Sequence, residues 1–184
     1  MKYALILLLL LLLFAVAYAA TTGYTFPGSG SGSAWTNPGN ITADDNTYAV
    51  NATTSTGYLV GSSYGFSIPS GATIDSIAMQ VEIYCSGGTQ PATKQGYYGV
   101  SKNGTSMAGD SIQYDCVNNS TITVADTSLW GTTWTVTEAN AIYSALHKGG
   151  TGTASHEVDY HQIEIWYTEE AGAAKSQVMR VIIQ

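Results

Sequence analysis

Between Phe66 and Cys85 the chain reads FSIPSGATIDSIAMQVEIYC, and its second half alternates without a break. Ile77, Met79, Val81, Ile83 and Cys85 interleave with Ala78, Gln80, Glu82 and Tyr84. Successive side chains on a strand point to opposite faces, so this period of two gives one apolar face and one wetter face. That pattern predicts a long strand in an antiparallel sheet with its apolar face on a core. Pro69, Ser70 and Gly71 supply the turn before it.

The rest of the chain agrees with an all-β reading. Candidate strands at 46–52, 57–61, 64–68, 97–102, 105–109, 111–117 and 120–124 are separated by turn signals, including Asn37-Pro38-Gly39 and Asn103-Gly104, a two-residue hairpin dipeptide between 97–102 and 105–109. The last domain strand covers Glu157–Thr168, with Ile163, Ile165 and Tyr167 on one parity and Gln162, Glu164 and Trp166 on the other. Many short strands with frequent turns point to a sandwich. One stretch departs from the pattern. In Thr137–Lys148, Ala141, Ile142, Ala145 and Leu146 fall at helical spacing, Thr137 can cap the start and Gly149-Gly150 can stop it. The expectation is one short helix near 137–148 on an antiparallel, jelly-roll-like β-sandwich.

Met1-Lys2, the apolar run from Tyr3 to Ala20 and the Ala17-Tyr18-Ala19 site read as a secretory signal peptide over 1–19. The alternative is an uncleaved anchor, since about 18 apolar residues approaches a membrane span. The sandwich domain then occupies 20–169, and 170–184 is a small-residue linker with a short apolar tail. Loss of Lys2 with the leader takes the formal charge from −7 to −8. An acidic surface disfavours nucleic acid and anionic membranes as partners. Export also gives meaning to Cys85 and Cys116, the only two cysteines. An oxidising compartment suits a disulfide between them, and two buried thiols are the other reading.

Four blocks carry a family resemblance: NPGNITADDNTYA (Asn37–Ala49), GFSIPSGATIDSIAMQVE (Gly65–Glu82), LWGTTWT (Leu129–Thr135) and VDYHQIEIWYT (Val158–Thr168). Together they resemble a β-sandwich domain of phage tail or virion-associated and environmental secreted proteins. The second block is also similar to DNRLRE-type extracellular domains. The resemblance implies a jelly-roll-like sandwich in a structural or adhesive role. The export signal departs from the virion context and favours a secreted or cell-surface protein.

Candidate sites are few. Asp44 and Asp45 lie in a loop before a strand, and Asp159 could join them in an oxygen-rich calcium site; turn and cap chemistry explains the same residues without a metal. Asp159 and His161 share the inward parity of Ile163, so they sit beyond the core, form a buried polar pair, or lie at a bulge. Thirteen tyrosines and four tryptophans are many aromatics for this length. Trp166, beside Glu164 on the outer parity, and Tyr84 on the wet face of its own strand are candidates for a glycan platform. No G-x-S-x-G, H-E-x-x-H or phosphate-loop motif is present, so the chain reads as non-catalytic. Asn40, Asn51, Asn103, Asn118 and Asn119 begin glycosylation sequons. The tail Val178–Gln184 is apolar and β-prone. It suits pairing with its own sheet, addition to a neighbour's edge in a self-assembling filament, or a loose terminus.

Overall fold

A computed structural model describes residues 17–52, 57–87, 96–115, 120–149 and 154–170. Ten strands run in the order β1 (Tyr18–Thr21), β2 (Ser29–Ser31), β3 (Ala49–Asn51), β4 (Tyr58–Ser62), β5 (Thr73–Ser86), β6 (Gly96–Ser101), β7 (Ile112–Tyr114), β8 (Ser120–Ser128), β9 (Tyr143–Lys148) and β10 (Ser155–Glu169). A 3-10 turn spans Pro38–Ile41, and the one α-helix among the described residues, α1, spans Val136–Asn140. The strands form two five-stranded sheets. The first is ordered β1-β10-β5-β8, with β3 also paired to β10; the second is ordered β2-β4-β9-β6-β7. All strand pairings are antiparallel. The β-sandwich expected from the alternation is what the chain forms.

The alternating segment is β5, the central partner of both β10 and β8. Its inner residues Ile77, Met79, Val81, Ile83 and Cys85 are fully buried. They meet Ile163, Ile165 and Val158 of β10, and Leu59, Leu146, Tyr98 and Val100 from the second sheet, in one core. Burying each large aliphatic side chain contributes about 1.5–3 kcal/mol, so this layer dominates the stability. Trp130 closes one end: it is fully buried and its Nε1 donates to the Ile77 carbonyl at 3.0 Å. That bond holds Trp130 in a left-handed conformation (φ 56°) that side chains ordinarily avoid.

The helix is shorter than the sequence pattern suggests. It begins with a capping box: Thr135 Oγ1 accepts from the Glu138 N–H, and Glu138 Oε2 accepts from the Thr135 N–H at 2.8 Å. It stops at Asn140, whose amide turns back to the segment before β5. Asn140 Oδ1 accepts from Ile68 N–H at 2.8 Å and Nδ2 donates to Ile68 O at 3.1 Å. Residues 64–68, expected as a strand, are therefore tied by a side-chain amide instead of a ladder. Tyr143–Lys148, read as helix, is the central strand of the second sheet, paired to β4 and β6. Ser144 and Lys148 lie on its core face and obscure the alternation that would have revealed it.

Two irregularities re-aim β10. Val158 pairs with Ile83 and His161 with Val81, so Asp159 and Tyr160 together oppose Glu82 alone. This bulge keeps both His156 and His161 on the inner face and lets Asp159 turn toward the 44–46 loop. A second shift falls between Trp166 and Tyr167. The N-terminal strand β1 pairs Tyr18–Thr21 with Trp166–Glu169, so it spans the expected processing point after Ala19. Residues 1–16 lie outside the described residues. Among those described, no helix is long and apolar enough to cross a membrane.

Candidate functional site

The outer face of the second sheet carries a row of rings set by strand register. Tyr58 of β4 pairs with His147 of β9, His147 pairs with Tyr97 of β6, and Tyr97 pairs with Gln113 of β7. Residues in register on neighbouring strands sit about 4.8 Å apart, so the row crosses the sheet at right angles to the strands. The Tyr58 and His147 ring centroids are 5.2 Å apart with planes tilted 48°, and those of Tyr97 and His147 are 6.4 Å apart at 42°. Gln113 Nε2 donates to the Tyr97 hydroxyl at 3.3 Å and steadies its ring. Tyr97 is 38% exposed on this face.

A groove of about 350 Å³ lies over this row, lined by Tyr58, Tyr97, Ser106, Met107, Ser111 and His147. The segment after β6 builds one wall. Asn103 Oδ1 accepts from the N–H groups of Thr105 and Ser106 at 2.9 and 3.2 Å, and the Ala108 N–H returns to Val100 O at 2.8 Å. The expected Asn103-Gly104 hairpin is thus a compact Asx-supported loop that folds back on β6. It is braced from behind. Lys102 donates to Thr133 O at 2.7 Å, pairs with Glu138 at 3.0 Å and lies over the Trp134 ring. Chemically the groove offers ring faces, a thioether and hydroxyls. That set suits a ligand with apolar ring faces and a hydroxylated rim.

The calcium candidates do meet, but not as a metal cage. Asp159 Oδ1 and Oδ2 accept from the N–H groups of Asp45 and Asn46 at 3.4 and 3.2 Å. Asp45 Oδ1 accepts from the Thr47 hydroxyl and from the Thr47 N–H at 2.9 Å; the hydroxyl first, then the N–H, hold its carboxyl below the usual range. Asp159 caps the loop, and its oxygens are engaged by backbone donors. Burial raises its pKa, the two N–H bonds lower it, and Asp44 and Asp45 raise it further. Among the described residues no three Asp, Glu, His or Cys side chains are placed to share an ion.

The glycan candidates on the first sheet are split. Trp166 opposes Ser76 and Tyr84 opposes Glu157, eight residues apart along β5 or about 27 Å at 3.3–3.4 Å per residue. Trp166 is half-buried, and Glu164 is buried and accepts from Thr21 Oγ1 at 2.5 Å. Tyr84 instead neighbours Tyr48, with ring centroids 6.5 Å apart. No shared platform forms from these three. Trp35, Trp130 and Trp134 are buried.

Inside the sandwich, His161 Nδ1 and Ser144 Oγ are 2.8 Å apart, and His156 Nδ1 and Tyr114 Oη are 2.9 Å apart. Ser144 and His161 have the spacing of a nucleophile and its base, yet both are fully buried and no substrate reaches them. Burial holds His161 neutral, with its pKa depressed to about 3. Cys85 is fully buried at the end of β5, and no cysteine is free among the described residues; Cys116 lies outside them. Of the sequon asparagines, Asn51 is fully buried and Asn40 donates to Tyr48 O at 3.0 Å, while Asn103 is exposed. Asn118, Asn119 and the tail Val178–Gln184 lie outside the described residues.

The sequence signal for the groove was thin. Tyr58 and Tyr97 fell in expected strands, but reading Tyr143–Lys148 as helix removed His147 from the sheet that aligns them.

No family model and no curated protein matches the chain by sequence. Among solved structures it is similar to TmCBM61 in complex with β-1,4-galactotriose, with 10% identity, 82% of this chain and 88% of that one covered, and a TM-score of 0.41. A CBM4 structure gives 11% identity, 80% and 94% coverage and a TM-score of 0.38. The cleaved adhesin domain of Lys-gingipain from Porphyromonas gingivalis gives 11% identity, 82% and 97% coverage and the same score of 0.38. These likenesses concern the fold alone.

Proposed function

We propose that this chain is a non-catalytic, exported module that binds an extended neutral glycan across the Tyr58–His147–Tyr97 row. The observation that carries the reading is the register: three rings on three neighbouring strands line one open groove. Their spacing is close to the length of a pyranose ring, so successive sugars can each meet an aromatic face. Ser106, Ser111 and Gln113 offer hydrogen bonds to the sugar hydroxyls. The groove lining holds no lysine or arginine, which argues for neutral over acidic sugars, in keeping with the acidic chain.

The test is a glycan array followed by calorimetry on the strongest hit. Tyr58→Ala and Tyr97→Ala should each weaken binding about tenfold or more, as buried aromatic anchors do. Trp166→Ala should leave it unchanged. An array without hits, or binding lost only in Trp166→Ala, would overturn the assignment.

A structural reading has its own support in β8. It is a nine-residue edge strand, whereas the edge strands β1, β2 and β7 have four, three and three residues. Long edges without lysine or proline invite strand addition. Tail-mediated self-assembly predicts that removing 178–184 abolishes concentration-dependent oligomers in size analysis. A monomer with and without the tail would exclude it.

A further inference from the structure

We infer that acid loosens the groove, because protonating the buried His156 unseats Tyr114 and with it the edge strand β7 that forms one end of the aromatic row. The link to ligand release rests on the glycan reading above; the latch itself does not.

The latch crosses the sandwich. His156 belongs to β10 of the first sheet and Tyr114 to β7 of the second. Their bond measures 2.9 Å and their rings meet edge-on with centroids 5.8 Å apart. The tyrosine reaches across because its register partner is Gly96. A Cβ there would lie 2.2 Å from the Tyr114 ring, so no other residue allows this path. On its other side β7 is a sheet edge, held to β6 by three register pairs. The same three residues present Gln113 outward to Tyr97, and Ser111 precedes them in the groove lining. One short strand therefore joins an interior imidazole to the surface that meets ligand.

The surroundings of His156 disfavour its charge. Tyr114 faces it from β7, and Lys148 faces it from β9, with Nζ donating to Asn51 O at 3.4 Å and Ala154 O at 2.6 Å. Asn51 of β3 and Cys85 of β5 are its register partners. On its own strand, Asp159 is engaged by the 45–46 N–H groups and His161 by Ser144. Burial, then the Lys148 charge, depresses the His156 pKa to about 3, and no carboxylate among the described residues acts on it. His156 Nε2 meets no partner among the described residues. With the neutral ring in the tautomer that accepts the Tyr114 proton at Nδ1, protonation turns Nδ1 into a donor, so the Tyr114 hydroxyl must turn its own proton elsewhere inside a buried site.

The sign follows from linkage. In an opened arrangement the ring meets water and titrates near 6.5, while in the closed one it resists protonation down to about 3. Each pH unit below 6.5 then favours opening about tenfold, roughly a hundredfold by pH 4.5.

Hydrogen exchange on the full exported chain reads this directly, after correction for intrinsic chemical rates. The amides of residues 112–114 should exchange roughly fiftyfold faster at pH 4.5 than at 6.5, where the open ring is already half protonated, well ahead of those in β5. His156→Gln should flatten that dependence. Tyr114→Phe, which removes only the hydroxyl, should raise exchange of 112–114 already at pH 7. Wild-type exchange no steeper than in His156→Gln, or Tyr114→Phe indistinguishable from wild type at pH 7, would overturn the latch. An array of neutral oligosaccharides read at pH 7 and 4.5 tests the coupling. Spots lost at 4.5 in wild type should persist in His156→Gln, and spots that persist in wild type overturn the inference. No spots at either pH, with the exchange pattern intact, would instead remove the glycan reading and leave the latch.

Discussion

His156 and His161 are the residues whose chemistry reaches furthest through this molecule. Both are fully buried on the inner face of β10, and both are held neutral with pKa depressed to about 3. In the unfolded chain they titrate near 6.5, so between these values the unfolded state binds more protons. Stability is complete above the unfolded value and is lost as pH falls from 6.5 toward 3. Each histidine contributes a slope approaching about 1.4 kcal/mol per pH unit. Urea midpoints measured from pH 7 to 4 should fall accordingly, and His161→Gln should halve the slope. A midpoint flat to pH 4.5 would contradict the buried neutral state. The sequence exposed half of this. Parity marked Asp159 and His161 as inward and named a bulge among the explanations. The bulge then turned Asp159 out to the 44–46 loop and kept His161 in against Ser144. Which hydroxyl each imidazole meets depends on the opposite sheet, and no local pattern encodes that.

At the scale of elements, the alternation of β5 was legible because its inner face is wholly apolar from Ile77 to Cys85, and that of β10 only around Ile163 and Ile165, since His156 and His161 interrupt the rest of its inner face. β9 was not, because Ser144 and Lys148 occupy its inner face and Ala141, Ile142, Ala145 and Leu146 happen to match a helical stripe. Sheet pairing on both sides overrides that local preference. The true helix is a single capped turn, and its cap should matter more than its length. Thr135→Ala removes the hydroxyl that accepts from Glu138 N–H and should cost about 1 kcal/mol, read as a lower urea midpoint. Thr137→Ala should cost almost nothing, although the sequence pattern favours Thr137 as the cap. Equal losses in the two would show that the observed cap is misplaced. The groove went unread for the same reason as β9: its ring row exists only once β4, β9 and β6 are in register.

For the whole molecule, the two sheets are joined by apolar packing and by hydrogen bonds between buried polar side chains, and a covalent link between Cys85 and Cys116 is proposed to add to these. Mass spectrometry of the unreduced chain should show two hydrogens fewer than the reduced one. Reduction should lower stability by about 3.7 kcal/mol, the chain-entropy expectation for a loop of this size. An unreduced mass equal to the reduced one would exclude the link. The distribution of tryptophan has a separate, optical consequence. Trp35, Trp130 and Trp134 are shielded, Trp166 alone is partly open, and the groove is lined by none of the four. Collisional quenchers such as iodide should therefore report on Trp166 almost exclusively. A ligand settling on the second sheet would leave that emission unmoved, while one settling over β10 would shift it. A single fluorescence titration thus tells which face of the sandwich is occupied.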